Sequence, residues 1–150
     1  MIAFPDTSFL CALYVRQDTS PAAAAHFATM PEALTVSGLL LYEFRQSVRF
    51  QVWLHTRDRS RGYSQTVADT ALAKLEMNLN SGALVMATVD WPDVHRLAET
   101  LSKRHTLSGG HRSLDILHVA TALHLDTREF LTFDANQRKL AAAEKLKVKP

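Results

Sequence analysis

The stretch Ile2-Ala3-Phe4-Pro5-Asp6-Thr7-Ser8-Phe9-Leu10-Cys11-Ala12-Leu13-Tyr14-Val15-Arg16 decides the fold. Ile2 to Phe4 is a short apolar, β-prone run. Thr7 to Arg16 then reads as a helix, with Asp6 or Thr7 as its cap. A strand that passes straight into a helix is the opening of a βα unit. The same grammar returns downstream. Leu34 to Ser37, Ala83 to Val89 and Phe130 to Phe133 read as strands. Helices are expected from Ser20, with Pro21 at the first position, and over Leu39–His55, Gln65–Asn78, Trp91–His105, Ser113–Leu125 and Ala135–Leu146. Leu40, Phe44 and Val48 recur at the helical period in the longest of them. Arg57 to Ser64 and Ser108-Gly109-Gly110 read as loops, and Lys147 to Pro150 as a basic tail. Strands alternating with helices predict an α/β fold: a three-layer α/β/α sandwich with a mainly parallel central sheet.

The chain has 150 residues, enough for one domain, 1–150, with its own core. Its composition, 47% hydrophobic and 21% charged, is that of a soluble globular protein. Apolar runs stop far short of the ~20 residues a membrane span needs, so no membrane association is expected. The one cysteine, Cys11, excludes an internal disulfide framework and any cysteine-based zinc cluster, and reads as a small buried hydrophobe. No signal peptide is evident, and a cytoplasmic address is the simplest. The five glycines build no phosphate-binding loop, and GxSxG and HExxH are absent. A P-loop NTPase, a dinucleotide-binding enzyme, a serine hydrolase and a zincin are thereby disfavoured. The net charge of +2 permits a nucleic-acid partner without identifying one.

The acids are more informative. Asp6 and Asp134 each follow a predicted strand and open a helix, and Asp115 lies at the start of the Ser113 helix. Each alone also reads as a helix cap or a first-turn acid favoured by the helix dipole. Together they say more, because the carboxyl ends of parallel strands share one edge, where ligand sites of open α/β sheets lie. Glu43 borders the apolar face of the long helix, beside Leu39 and Leu40. A carboxylate there either reaches water or needs a partner. Two unit charges 4 Å apart repel by ~4 kcal/mol at an effective dielectric of about 20. Four gathered carboxylates therefore raise their pKa values or recruit a cation. All-oxygen ligands favour Mg²⁺ or Mn²⁺, ions that activate water and clamp phosphate oxygens. The expected chemistry is metal-dependent phosphodiester hydrolysis. Ser8 stands where a haloacid-dehalogenase-like phosphatase needs a second aspartate, and no lysine follows Thr132-Phe133-Asp134 as a receiver domain requires.

Four motifs, Phe4-Pro5-Asp6-Thr7-Ser8, Tyr42-Glu43-Phe44, Leu114-Asp115-Ile116-Leu117-His118-Val119-Ala120-Thr121-Ala122 and Leu131-Thr132-Phe133-Asp134, span nearly the whole chain. In their order and spacing the chain resembles the PIN-domain nucleases, specifically the small bacterial VapC-type toxins. The resemblance implies an endoribonuclease with a Mg²⁺ or Mn²⁺ site that leaves a 5′-phosphate and a 3′-hydroxyl. It also implies a homodimer neutralised by a cognate antitoxin. Asp6, Glu43, Asp115 and Asp134 occupy the family's catalytic, metal-holding positions, and Ser8 and Thr132 match its supporting polar positions. Pro5 replaces a usual aliphatic residue, Asn136 a frequent second acid and Gln137 a frequent aromatic, which bears on the Asp134 corner. Two alternatives differ in class or substrate: a non-catalytic PIN-like module that binds RNA or protein, and a DNA nuclease on the same fold.

Five arginines, Arg45, Arg49, Arg57, Arg59 and Arg61, crowd one segment opposed only by Glu43 and Asp58. They read as a solvated helix face and loop, as an RNA-binding surface in which Arg45 and Arg49 take part, or as an antitoxin groove. Arg112, three residues before Asp115, is the better placed to hold a phosphate. His111, Asp115 and His118 fall on adjacent turns, a weak zinc pattern with no second ligand set. His118 reads as a helix-packing residue. Trp53 and Trp91 read as core or interface packing, with base stacking as the second reading.

Overall fold

The computed structural model describes all 150 residues. The chain order is β1 (Ala3–Pro5), α1 (Thr7–Tyr14), α2 (Ser20–Ala28), β2 (Leu34–Val36), α3 (Gly38–Arg57), α4 (Gln65–Asn80), β3 (Leu84–Met86), α5 (Trp91–Gly109), α6 (Ser113–His124), β4 (Glu129–Leu131), α7 (Ala135–Ala143) and β5 (Lys147–Lys149). Every strand pairing is parallel. β1 pairs with β4 (Phe4 opposite Phe130), β4 with β5 (Phe130 opposite Val148), and β2 with β3 (Thr35 opposite Val85). β1 also lies beside β2, which joins the two ladders into one spatial order, β3-β2-β1-β4-β5. Helices α1 to α4 pack with one another, and so do α5 to α7, with the sheet between the two groups. This is the expected three-layer sandwich. No helix is long and apolar enough to cross a membrane.

The central strands carry no alternation because both faces are covered. Phe4, Leu34, Val36, Phe130 and Leu131 are all fully buried. The outermost strands behave differently. Val85 and Met86 on β3 are half exposed, and β5 brackets one apolar residue, Val148, with Lys147 and Lys149. The basic tail expected at the C-terminus is thus corrected to a fifth strand. A Lys-Val-Lys triplet is too short and charged to announce itself, but it suits an edge, where lysines discourage pairing with another chain.

Chain direction along the sheet reverses at β1: the chain moves outward to β2 and β3, then returns to β4 on the other side. That reversal places the carboxyl ends of β1 and β4 side by side, at the switch point where α/β sheets bind ligands.

One ion-paired cluster pins α7 to α5. Glu144 Oε1 accepts from His105 Nε2 at 2.6 Å and from Arg104 Nη1 at 2.7 Å. Burial pushes the Glu144 carboxyl up, but these two hydrogen bonds and charges outweigh it and hold it below its ordinary 4.5. A carboxyl depressed in the folded state contributes stability above its unfolded value that is lost as pH falls through the folded one. Glu144→Gln is therefore expected to lower the melting temperature at pH 7 and to shrink that deficit below pH 4.5. Thermal melts of both proteins from neutral to acid pH check it, and parallel curves would count against it.

Candidate active site

At this switch point β1 passes to α1 through Asp6 alone and β4 to α7 through Thr132, Phe133 and Asp134, and in each case the aspartate before the helix caps it. Asp6 Oδ1 accepts from the Phe9 N–H at 3.0 Å, opening α1. Asp134 Oδ1 accepts from the Asn136 and Gln137 N–H groups at 2.8 Å each, opening α7. The capping reading of both aspartates is thus correct, and it does not exhaust them, because a carboxylate has lone pairs to spare.

Asp6 is 2% exposed. Its Oδ1 also accepts from the Ser8 hydroxyl at 2.7 Å, and its Oδ2 from the Thr132 hydroxyl at 2.6 Å. Both hydroxyls then accept in turn, Ser8 from the Phe133 N–H and Thr132 from the Asp134 N–H, each at 2.9 Å. Ser8 and Thr132 thereby stitch the end of β1 to the end of β4 around Asp6. Burial nevertheless dominates, and the Asp6 carboxyl is raised above its ordinary 3.8 despite the hydrogen bonds from Thr132, Ser8 and Phe9.

Glu43 enters from α3. Its Oε2 accepts from both the Thr7 hydroxyl and His118 Nε2. Burial raises its pKa, but the hydrogen bonds from His118 and Thr7 and the charges of His118 and Arg112 prevail, so the carboxyl lies below 4.5. The glutamate at the stripe boundary does not simply reach for water: it has built-in partners from two other helices. Asp115, in the first turn of α6, accepts from Arg112 Nε at 3.1 Å and from Gln137 Nε2 at 3.3 Å.

All four acids line a single pocket of about 290 Å³, together with Thr7, Ser8, Cys11, Ser47, Arg112, His118 and Gln137. Four carboxylates face one guanidinium there, so the pocket attracts cations. Burial pushes the Cys11 thiol up to about 11, which disfavours a thiolate there and leaves the four carboxylates as the anionic donors. Cys11 is also less buried than expected, with its Sγ 4.0 Å from Ser47 Oγ at the pocket wall.

No three His, Cys, Asp or Glu side chains close around one point as a ready cage, and this holds equally for the His111, Asp115 and His118 pattern considered for zinc. Arg112 stands on Asp115 in a cation's role, and its side chain is 80% exposed. Gln137 Oε1 is buried with no partner. An acceptor oxygen left open beside four carboxylates, one of them raised by burial, matches the needs of a hard divalent ion and its bound water. The donor set fits such an ion.

The sequence reading missed four members of this pocket, Ser47 on α3 among them. His118 holds Glu43 instead of merely packing α6. Thr7 shares that task. Gln137, seen only as a departure from the family pattern, reaches Asp115. An N–H or O–H donor within four residues of a candidate acid is the only local signal, and it is too common to single these out. Of the arginines proposed for RNA, Arg112 joins the pocket. Arg45 is tied instead to Glu76 at 2.6 Å, and neither Arg45 nor Arg49 lines the pocket.

Comparison with solved structures gives the same fold. Over 99% of both chains the protein superposes on VapC20 of Mycobacterium tuberculosis, described as a sarcin–ricin-loop-cleaving toxin, with TM-score 0.65 and 21% identity. FitAcB of Neisseria gonorrhoeae matches at TM-score 0.65 and 14% identity, covering 99% of this chain and 97% of that one. VapBC2 of Rickettsia felis, solved bound to a DNA fragment from its promoter, matches at TM-score 0.67 and 12% identity, covering 99% and 98%. No curated protein matches the sequence significantly. The PIN domain family matches residues 3–143, and with the acidic pocket at the β1–β4 switch point the chain belongs to the PIN domain family.

Proposed function

We propose that the protein is a Mg²⁺- or Mn²⁺-dependent endoribonuclease, the toxin of a pair neutralised by a cognate antitoxin. The observation that carries this reading is the convergence of Asp6, Glu43, Asp115 and Asp134, from four separate segments, on one pocket beside Arg112. The likeness to a toxin described as cutting the sarcin–ricin loop, and to VapBC and FitAcB structures, supports RNA as substrate and an antitoxin as partner. A homodimer and a cytoplasmic setting accompany the reading.

Asp6, Glu43 and Asp115 would hold the ion, directly or through water, with Asp134 completing the site. Bound there, a divalent ion lowers the pKa of water and stabilises charge on phosphate oxygens. The chain's own residues do the rest. Thr132 and Ser8 fix the Asp6 carboxylate between two strands. Thr7 and His118 aim Glu43. Asp134 Oδ2, free of the capping bonds that engage Oδ1, would orient a water. Arg112 would offer an exposed guanidinium to a substrate phosphate, and leaving Asp115 would free that carboxylate for the ion.

The test is digestion by the purified protein of RNA, single-stranded DNA and flapped DNA, each with Mg²⁺, Mn²⁺ and EDTA. RNA alone is expected to be cut, only with metal, giving 5′-phosphate and 3′-hydroxyl ends. Cleavage that survives EDTA sinks the metal mechanism. Preference for flapped DNA makes the protein a DNA nuclease, and tight RNA binding without turnover makes it a binding module.

A further inference from the structure

Helix α3 does not end its involvement at the pocket. Glu43 and Ser47 line the pocket wall. Phe50 lies seven residues beyond Glu43, which returns it to the same side of the helix about 10 Å further along. Trp53 and Arg57 follow at three- and four-residue steps. Phe50 and Trp53 are each 49% exposed. Their rings stack on one another, with centroids 5.4 Å apart and planes 21° apart. The Arg57 guanidinium carbon lies 5.0 Å from the centroid of the Trp53 ring. Two large aromatics left half in water and stacked on one another form an exposed apolar patch on one helix face.

The charge around this face says what it binds. Arg45 is taken by Glu76, but Arg49, Arg57, Arg59 and Arg61 have no carboxylate partner. Asp58, the acid among them, accepts instead from Ser60. A second copy docked symmetrically through α3 would bring these arginines against their own counterparts, which like charges oppose. Phosphates would neutralise them. Exposed aromatic faces with a guanidinium on top are the chemistry of base stacking, and only unpaired bases offer both faces.

We infer that the Phe50–Trp53–Arg57 face of α3 is a stacking platform for unpaired bases, which holds a single-stranded RNA segment whose backbone runs past the arginines toward the acidic pocket. This rests on the nuclease reading and adds where on the chain the bases of its substrate are held. Trp53 and Trp91 are the only tryptophans, so Trp91→Phe leaves Trp53 as the sole reporter, and Trp53→Phe provides the matching control. A short oligouridylate added in EDTA is expected to quench the emission of the protein that keeps Trp53, and a blunt RNA duplex is not. Loss of one base stack weakens binding by about 5- to 150-fold. The combined Phe50→Ala and Trp53→Ala variant should therefore bind the oligonucleotide at least about tenfold more weakly. Trp53→Phe, which keeps an aromatic face, should recover most of that loss, and Arg45→Ala should bind within about twofold of the parent.

Absent quenching, or unchanged affinity in the double variant, overturns the platform. So does a double variant that turns from dimer to monomer in sedimentation, which makes the face an interface between copies. So does selective loss of binding to a peptide antitoxin with RNA affinity intact. Quenching without cleavage in any metal leaves the platform standing and removes the nuclease. Cleavage at the parent's kcat/KM in the double variant does the reverse.

Discussion

Asp6→Asn is expected to abolish metal-dependent cleavage and, without metal, to leave the protein at least as stable as the parent. The activity follows from position. Asp6 is the most buried of the four carboxylates, 2% exposed, and the one fixed from both strands. Metal coordination contributes several kcal/mol of charge stabilisation in such reactions, so losing one anionic ligand should slow turnover by at least about a hundredfold. Stability responds in the opposite direction. Burial raises the Asp6 carboxyl above 3.8. The folded state therefore holds a proton that the unfolded chain has released, and stability falls as pH rises through that window. Once ionised, Asp6 detracts from the metal-free fold. Asparagine keeps the oxygen that caps α1 and removes the charge. The melting temperature of the variant, measured in EDTA, should match or exceed the parent's, with the gap widening as pH rises above 3.8. Saturating Mg²⁺ should reverse the order, since an ion at a hundred times its dissociation constant adds about 2.7 kcal/mol to whichever protein binds it. A variant that still cleaves, or that gains as much from Mg²⁺ as the parent, removes Asp6 from the site.

The placement of Asp6 explains why the candidate site was legible in the sequence. A buried carboxylate at a strand-to-helix junction is costly, and its capping bond to Phe9 is too little to account for it. The junction itself is visible in Phe4-Pro5-Asp6-Thr7, because a three-residue apolar run meets a helix with no loop between. Phe133-Asp134-Ala135 repeats it. Parallel topology then forces both junctions to the same sheet edge. Glu43 was legible for a different reason, its place beside Leu39 and Leu40 on the buried side of a long periodic helix.

Ser8 and Thr132, the partners of Asp6, were named through the family resemblance, but the partners of Glu43 were not legible, because they lie close in space and far apart along the chain. Thr7 reaches Glu43 across 36 positions, and His118 across 75. No local pattern encodes such pairs. His118 sits in an apolar helix between Leu117 and Val119, where packing is a sufficient account until the opposite wall is known. Of the core or interface packing read for Trp53, the core half failed for the complementary reason, since the side chain is 49% exposed. Helical period places it on a face of α3, but only the fold shows that no helix covers that face. Strand β5 was missed because, unlike the other three-residue strands, it is not a mainly apolar run: a single Val148 stands between Lys147 and Lys149.

His118→Ala is the second substitution with a large expected effect, and it separates packing from positioning. The side chain is 1% exposed, its Nε2 lies on Glu43 Oε2, and its Nδ1 has no partner. Truncation removes a buried ring and leaves Glu43 with the Thr7 hydroxyl alone. Leaving a buried polar group short of a partner costs about 1–3 kcal/mol, and the vacated volume adds to this. A total of about 2–4 kcal/mol corresponds to a melting temperature lower by about 4–16 °C in a domain of this size. Packing alone would produce that loss. Positioning predicts something further, because groups that orient a metal-holding side chain change metal affinity by about 10- to 100-fold. Mn²⁺ titration by calorimetry should therefore show weaker binding in His118→Ala. His118→Gln is the discriminating variant. Its side-chain amide can donate to Glu43 but does not refill the ring's volume. If His118 positions Glu43, the glutamine variant regains most of the Mn²⁺ affinity while its melting temperature stays low. If His118 only packs α6 against α3, affinity and melting temperature move together in both variants. Mn²⁺ affinity equal to the parent's in His118→Ala would show that Glu43 needs no such support.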